Sequence, residues 1–324
     1  MKLGNIIDAL ERFSPLAWQE EYDNSGLQVG LFDETGLPLG RDAVVTGVLV
    51  CLDITEAVID EAAARGCNLV VSHHPLIFRP LKNVSGSTYQ QRCVAKALRL
   101  GIALYAAHTN LDNAPGGVSW EMASRLGLQN LRPLVPIDAE SGSGVIGVLP
   151  QPVPAEEFVR TLAAVFNAPH LRYCLPTASF SSPASEAATP SACSTGTACP
   201  LIRTVALCGG SGGEYIPDAI VAGADCYVTG EIRYHDYFEA EGRMLVALGH
   251  YESEQYTTDL LCRKLQEILS QENASCGSTT AFSSASPVPS SCPSSCASSS
   301  PSSCASPSIP VLKTSLDTNP LRSL

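Results

Sequence analysis

The stretch AVVTGVLVCLDITEAVIDEAAARGCNLVVSHHP, residues 43–75, contains two apolar runs on either side of a segment with helical spacing. The runs AVVTGVLVCLD and CNLVVSHHP predict buried strands, and Gly66 marks the end of the helix between them. A strand, a helix and a second strand in this order predict a β-α-β unit with parallel strands. The second strand ends at two adjacent histidines, His73 and His74.

The same alternation continues along the chain. Helical spacing over residues 89–101 leads into the strand IALYAAHTNLD, and after residue 200 the strands RTVALC, DCYVTGE and RMLVALGH are separated by predicted helices. Helices between buried strands are typical of largely parallel sheets. We therefore predict an α/β protein.

Two stretches lack hydrophobic periodicity. Residues 177–200 consist mainly of Ser, Ala, Thr and Pro, and the chain beyond residue 272 has a similar composition. We divide the chain into a first α/β lobe (1–131), a middle segment with a second α/β lobe (132–272) and a low-complexity Ser/Pro/Cys tail (273–324). Residues 177–200 are predicted to be a disordered insertion in the second lobe.

The composition indicates a globular protein. The 324 residues are 45% hydrophobic, the formal net charge is −12 and the pI is near 4.9. This acidity disfavours a surface that binds nucleic-acid phosphates or anionic lipid, so a nucleic-acid partner is not expected. The sequence contains no run of about 18 apolar residues and no apolar signal segment, so we predict a cytoplasmic protein without membrane contact.

The cysteines favour thiols over disulfides. Six of the thirteen lie in apolar strand or helix patterns, where thiols behave as small hydrophobic groups. These six are Cys51, Cys67, Cys93, Cys208, Cys226 and Cys262. The tail contains Cys292, Cys296 and Cys304, which either chelate a metal or belong to solvated low-complexity chain.

Parts of the two lobes are similar to each other. GIALYAAHTNLD and GRMLVALGHYESE each begin at a glycine, continue as an apolar strand to a histidine and have a carboxylate four positions later. The histidines are His108 and His250, and the carboxylates are Asp112 and Glu254. The similarity indicates an internal duplication or a chance match over a short stretch.

Histidines and carboxylates follow several predicted strands. They are His73, His74, His108, Asp112, Glu231, His250 and Glu254. Each one alone would most simply be a surface group, but the carboxyl ends of parallel strands meet at one edge of a sheet, where ligands gather. Imidazole and carboxylate together suit Zn²⁺, Fe²⁺, Mn²⁺ or Ni²⁺, and two carboxylates among several histidines suit two bridged ions.

Two further features carry weaker signals. His170 lies in a predicted loop without similar neighbours, and we interpret it as structural. The sequence GGSGG (209–213) follows a strand and forms either a tight turn or a phosphate-binding loop, although it matches no nucleotide-binding motif. The first strand lacks the glycine-rich fingerprint of a dinucleotide-binding oxidoreductase, which argues against that class.

Several motifs carry a family resemblance. DNSGLQVG, SHHPLIF, AAHTNLDNAPGG, GGSGG, VTGEIRYHD and GHYESE occur in this order along nearly all of the predicted ordered chain. The sequence thereby resembles the GTP cyclohydrolase 1 type 2 family, also called the Nif-three-like dinuclear metal proteins. The resemblance implies two lobes of related topology with mainly parallel sheets, two divalent metal ions in the cleft between them, and a toroidal hexamer.

The resemblance also implies roles for individual residues. The implied metal ligands are His73, His74, Asp112, His250 and Glu254. His108 and His235 are implied to lie beside the ligands, as residues that orient a ligand or move a proton in catalysis. The family commonly has Trp at the position of Tyr22, and this departure leaves the implied ligand set unchanged.

Two functions of different classes follow from this resemblance. A dinuclear site lowers the pKa of a bound water and favours a hydrolase that acts on a nucleotide or phosphoester, with opening of the GTP ring as the example that the family name gives. The alternative is a non-catalytic protein, namely a hexameric scaffold or a protein that stores or senses metal. A catalytic site leaves a metal position open to water, and sequence spacing does not show this.

Overall fold

The computed structural model describes residues 1–176, 200–278 and 309–321, with side chains up to residue 271 in the second range. The first of two sheets contains β1 (Gly26–Val29), β2 (Val48–Cys51), β3 (Leu69–Ser72), β4 (Ala103–Ala106) and β11 (Val311–Lys313). Its strand order is β1-β4-β3-β2-β11. Only β1 runs antiparallel to its neighbour in this sheet, so the predicted β-α-β unit forms part of a mainly parallel sheet.

The second sheet is mixed. It contains β5 (Gln129–Pro136), β6 (Gly142–Pro154), β7 (Arg172–Cys174), β8 (Leu201–Cys208), β9 (Cys226–Thr229) and β10 (Met244–Ala247) in the order β5-β6-β8-β9-β10-β7. Strands β8, β9 and β10 are parallel, whereas the other pairs are antiparallel. Only residues 137–141 join β5 to β6, which is too short for a parallel crossover.

Helices cover both sheets. They are α1 (Leu3–Phe13), α2 (Glu56–Ala64), α3 (Tyr89–Leu100), α4 (Thr109–Asp112), α5 (Val118–Arg125), α6 (Ala155–Val165), α7 (Ile216–Val221), α8 (His250–Glu254) and α9 (Thr257–Ser278). The segment Tyr234–Ala240, where the sequence predicts an α-helix, is a 3-10 helix. The fold class is confirmed as α/β, with two sheets flanked by helices. None of the helices in the described ranges has the length and apolar composition needed to cross a bilayer.

A hydrophobic core, here called the shared core, lies between the two sheets. Each sheet also has an outer core on its opposite face. The alternation of side chains along a strand explains this layering. In β3, Leu69 and Val71 belong to the shared core, whereas Val70 faces the outer core formed with α2 and α3. Residues of α1, α5, α6 and α9 fill the shared core, so both sheets depend on the same apolar contacts.

The parallel strands β2-β3-β4 and β8-β9-β10 have the same arrangement in the two sheets. In each set, a short helix follows the third strand: α4 follows β4 and α8 follows β10. His108 is the N-cap of α4 and His250 is the first residue of α8, so the two residues occupy similar places. This agrees with the internal similarity seen in the sequence.

Part of the predicted tail is structured. Strand β11 pairs in parallel with β2, and Val311 and Leu312 pack against the shared core and the outer core respectively. The run IPVLK (residues 309–313) is too short to show hydrophobic periodicity, and its neighbours are rich in serine. From the sequence alone, it therefore falls within the predicted tail. Residues 177–199 of the predicted insertion lie outside the described residues, as do the tail cysteines Cys292, Cys296 and Cys304.

The turn between α4 and α5 is closely packed at Gly117, the N-cap of α5. A Cβ added there would clash with the carbonyl oxygen of Leu111, whereas a Cβ at Gly66 would meet open space although φ is +70°. We expect Gly117→Ala to lower the free energy of unfolding by about 2–4 kcal/mol and Gly66→Ala by about 1 kcal/mol. Urea unfolding followed by circular dichroism measures both, and equal midpoint shifts would contradict the close packing at Gly117.

Candidate metal centre

The carboxyl ends of strands from both sheets meet at one place. His73 and His74 directly follow β3, and α4 and α8 present Asp112 and Glu254 from the two lobes. The structure brings together His73, His74, His108, Asp112, His250 and Glu254. These residues include all five of the implied metal ligands.

The buried carboxylate of Glu254 lies at the centre of this group. Its Oε2 atom is 2.9 Å from His74 Nε2 and 3.3 Å from His250 Nε2. Its Oε1 atom is 3.6 Å from His73 Nε2. The two oxygens therefore face different nitrogen atoms, one for Oε1 and two for Oε2.

Two buried polar atoms face each other without a hydrogen-bond partner among the described residues. They are His73 Nε2 and Asp112 Oδ1, which lie 3.7 Å apart. Ligand bonds of about 2.0–2.2 Å in a tetrahedral site place neighbouring ligand atoms about 3.4 Å apart. The separations in the group, from 2.9 to 3.7 Å, therefore fit atoms that share a transition-metal ion.

The other ring nitrogen of each imidazole is held by a hydrogen bond. The partners of Nδ1 are the Ala107 carbonyl for His73 (2.8 Å), Asp53 for His74 (2.7 Å), Asp23 for His108 (2.8 Å) and Glu231 for His250 (3.0 Å). Ligating histidines commonly donate their second N–H to a carboxylate or carbonyl, because this bond fixes the tautomer and the ring orientation. The Nε2 atoms of His73, His74 and His250 are thereby left for the contacts with Glu254.

The electrostatics of the group favour positive charge. Burial disfavours a proton on His74, but the hydrogen bonds and charges of Asp53 and Glu254 outweigh it and raise the pKa of His74 to about 10. Burial likewise opposes a proton on His250, and Glu254 outweighs it and raises the pKa of His250 to about 9. Burial would raise the pKa of Glu254, yet the neighbouring imidazoles hold it well below its usual range. A field that retains protons on imidazole also attracts metal cations.

Asp53 and Asp23 were not identified from the sequence as site residues. The available signals were the position of Asp53 at the end of the first apolar run and the position of Asp23 at the start of the motif DNSGLQVG. Glu231 was among the predicted strand-end carboxylates, and the structure gives it a contact with His250. Carboxylates at such positions are common on protein surfaces, and only the folded geometry distinguishes these three.

The other two histidines lie elsewhere. His235 is exposed, with ring centroids 5.2 Å from Tyr234 and 6.4 Å from Phe238. The structure therefore does not bring His235 into the group around Glu254, and its catalytic role stays a prediction. His170 is also exposed and lies outside the group, so its structural interpretation stays a prediction.

The GGSGG loop forms a tight turn against the site. The amides of Gly209, Gly210 and Gly212 donate to the hydroxyls of Ser119, Ser253 and Thr229. Gly210 has φ of +62°, and a Cβ there would clash with Glu254 Oε1. Glycine at this position therefore leaves room for the central carboxylate, while the three amides are engaged within the protein.

A cavity of about 220 Å³ borders the site. Its wall includes His108, Asp112, His250 and Glu254. Tyr22 and Phe78 form an aromatic part of the wall, with their ring centroids 6.3 Å apart. The candidate metal centre therefore borders a cavity that a small molecule can enter.

Comparison with known proteins agrees with the family resemblance of the sequence. A protein from Clostridium perfringens described as a GTP cyclohydrolase 1 type 2 homolog is 30% identical over 277 residues, which cover 84% of this chain and 94% of that protein. NIF3-like protein 1 of Drosophila melanogaster is 28% identical over 275 residues, or 84% of each chain.

Solved structures share the fold. A hypothetical protein from Staphylococcus aureus aligns with a TM-score of 0.73 at 24% identity, covering 100% of this chain and 99% of that one. A Bacillus cereus protein related to NIF3 has a TM-score of 0.73 at 22% identity with the same coverage. The family model described as Duf34/NIF3 (NGG1p interacting factor 3) matches residues 1–289. The chain therefore belongs to the Duf34/NIF3 family.

Proposed function

We propose that this protein is a hydrolase that depends on two divalent metal ions per subunit and acts on a nucleotide-like substrate. The names of the relatives support a reaction of the GTP cyclohydrolase type. The donor set supports the metal, because imidazole and carboxylate suit Zn²⁺, Fe²⁺, Mn²⁺ or Ni²⁺. Two bound ions would supply an activated water at neutral pH for attack on carbon or phosphorus.

The ligands divide into two sets around Glu254. His73, Asp112 and Glu254 Oε1 would hold one ion, and His74, His250 and Glu254 Oε2 would hold the other. The unpartnered His73 Nε2 and Asp112 Oδ1 support the first set. Separations of 2.9–3.4 Å among the facing atoms support the second.

Access to the site is the observation that favours an enzyme. Structural metal sites are typically closed by protein ligands, whereas catalytic sites keep a position open. Here the cavity of about 220 Å³ is bordered by Asp112, His250 and Glu254 from the ligand sets. A substrate can therefore reach the same atoms that would hold the ions.

His108 is the residue best placed to move a proton. Its ring lies 5.3 Å from the ring of His73 and borders the cavity. Asp23 accepts a hydrogen bond from Nδ1 and also from the Thr109 backbone amide, so the imidazole orientation is fixed. We assign His108 the role of general acid to the leaving group. The catalytic role predicted for His235 would require its imidazole to reach the substrate, because this side chain does not contact the group around Glu254.

Tyr22 and Phe78 suit a flat substrate. Aromatic faces stack on planar rings and exclude water from the reacting atoms. Burial, together with nearby carboxylates, raises the pKa of Tyr22 to about 12, so its phenol stays neutral and can donate a hydrogen bond. The family departure from Trp to Tyr therefore falls on the cavity wall that would contact the base of a nucleotide.

The hexamer that the resemblance implies is also proposed. Tyr234 and Phe238 are 73% and 74% exposed on the second lobe, and aromatic residues of this kind are enriched at protein interfaces. Size-exclusion chromatography with light scattering should give the mass of six 34.1 kDa chains. A monomer mass would contradict the hexamer without affecting the metal site.

Metal content tests the ligand sets. We expect purified protein to contain about two transition-metal ions per chain, because Glu254 shares its oxygens between two sets. Glu254→Gln should lose most of both ions, whereas His73→Ala should keep about one ion. Inductively coupled plasma mass spectrometry measures the content.

His170→Ala is the matched control, since it removes an exposed histidine outside the group. It should leave the metal content unchanged. Wild-type content in a His73→Ala, Asp112→Ala double variant would contradict the first ligand set.

Turnover tests the enzyme. A screen of GTP, other nucleotides and phosphoesters with Mn²⁺, Zn²⁺ or Fe²⁺ should show hydrolysis. Glu254→Gln should lower kcat roughly a thousandfold or more, because it removes the shared carboxylate. His108→Ala should lower kcat about a hundredfold while the metal content stays near that of the wild type.

Tyr22→Ala separates substrate binding from metal binding. It should raise KM and leave the metal content unchanged, because Tyr22 borders the cavity but is not a member of either ligand set. Metal-loaded protein that hydrolyses none of these compounds would favour the non-catalytic scaffold or storage protein.

A further inference from the structure

The C-terminal segment 309–321, here called the C-terminal strap, lies outside the residues that the family model matches. Its strand β11 extends the first sheet beside β2. The strap then follows β2 towards the carboxyl end of that strand, where Asp53 lies, and Leu321 borders a second cavity next to His250 and Glu231. The strap therefore runs from the edge of a sheet to the candidate metal centre.

Several contacts hold the strap in place. Glu61 accepts hydrogen bonds from the Thr314 hydroxyl and from both the amide and the hydroxyl of Ser315. Lys313 forms an ion pair with Asp259 at 2.7 Å. The amide of Thr314 donates to the Val50 carbonyl at 2.9 Å, which continues the pairing with β2. Together with the partly buried side chains of Val311 and Leu312, these contacts fix the strap against the first sheet, α2 and α9.

Thr318 connects the strap to a candidate metal ligand. Its hydroxyl donates to Asp53 Oδ2 at 3.0 Å, and Asp53 Oδ1 is 2.7 Å from His74 Nδ1. The opposite nitrogen of the same ring, His74 Nε2, is 2.9 Å from Glu254. A continuous line of hydrogen bonds thus joins the strap to the centre of the site.

The two bonds to Asp53 restrict its orientation. The side chain of Asp53 is 35% exposed, so a carboxylate held at one oxygen would be free to rotate towards water. With Thr318 on Oδ2, the carboxylate plane is fixed, and Oδ1 stays directed at His74. Groups that accept a hydrogen bond from the second ring nitrogen of a ligating histidine orient the ring and influence metal affinity.

We propose that the C-terminal strap positions the His74 imidazole for metal binding, with Thr318 as the positioning residue that acts through Asp53. This inference rests on the proposed metal-dependent function and adds a structural control to the same site. Because coupling between two events is reciprocal, metal binding must in turn stabilise the docked strap.

Metal affinity tests the role of Thr318 directly. In the full-length chain, Thr318→Val removes the hydroxyl and keeps the side-chain shape, and it should weaken Zn²⁺ binding roughly 3- to 10-fold. Thr318→Ser keeps the hydroxyl and should bind Zn²⁺ like the wild type. Thr35→Val removes a hydroxyl that contacts Asp33 in a distant loop, and it serves as the matched control. Competition with a chromophoric chelator measures the affinities.

Hydrogen exchange tests the reciprocal effect without any substitution. Zn²⁺ should slow amide exchange in the peptide that contains residues 309–321 of the wild type, and this gain should shrink in Thr318→Val. The measurement remains decisive even if Thr318→Val folds poorly, because the wild-type comparison needs no variant.

The outcomes are distinct. Zn²⁺ binding with no change in exchange of the strap, or equal Zn²⁺ affinity in Thr318→Val and the wild type, would overturn the role of the strap and leave the metal-dependent function standing. A wild-type chain that binds no divalent metal would overturn both proposals. The inference is supported if Thr318→Val binds Zn²⁺ more weakly than the wild type while Thr318→Ser and Thr35→Val do not, and if Zn²⁺ slows amide exchange in the strap of the wild type.

Discussion

The buried carboxylate of Glu254 is the constraint on which the site depends. A charge removed from water is costly unless opposite charges or hydrogen-bond donors surround it, and here the imidazoles of His73, His74 and His250 do so. Two of these rings come from the first lobe, whereas Glu254 and His250 come from the second. The site therefore forms only when the carboxyl ends of the two sheets face each other, and the glycine at position 210 leaves the space that the carboxylate occupies.

The shared core sets this relative position of the sheets. Helices α1, α5, α6 and α9 pack between them, so the apolar contacts that stabilise the fold also align the strand ends. Metal binding at residues from both lobes would add its free energy to the same arrangement, because the ligands are brought together only in the folded chain. Stability and metal affinity are for this reason expected to change together in variants of the shared core.

The sequence predicted the members of the site better than their orientation. Parallel strands must end at a common edge, so His73, His74 and Glu254 could be placed together from strand patterns and the family resemblance alone. The partners of the Nδ1 atoms, such as Asp53, depend on tertiary contacts that no local pattern contains. Strand β11 was missed for a related reason: three residues show no periodicity, and their pairing partner β2 lies more than 250 residues earlier in the chain. The antiparallel pairs of the second sheet likewise follow from connection lengths that the strand pattern did not specify.

Charge links the metal to the proposed substrate. The chain has a formal net charge of −12, and the carboxylates of Asp112, Glu231 and Glu254 lie beside the cavities at the site. A nucleotide carries negative charge, so these carboxylates oppose its approach, while the protonated imidazoles of His74 and His250 offset part of that charge. Divalent cations held by the imidazoles and carboxylates would add positive charge at the same place and favour the approach of a phosphate. Asp53 and Thr318, which lie behind the His74 ring as seen from Glu254, would therefore affect substrate binding through the metal.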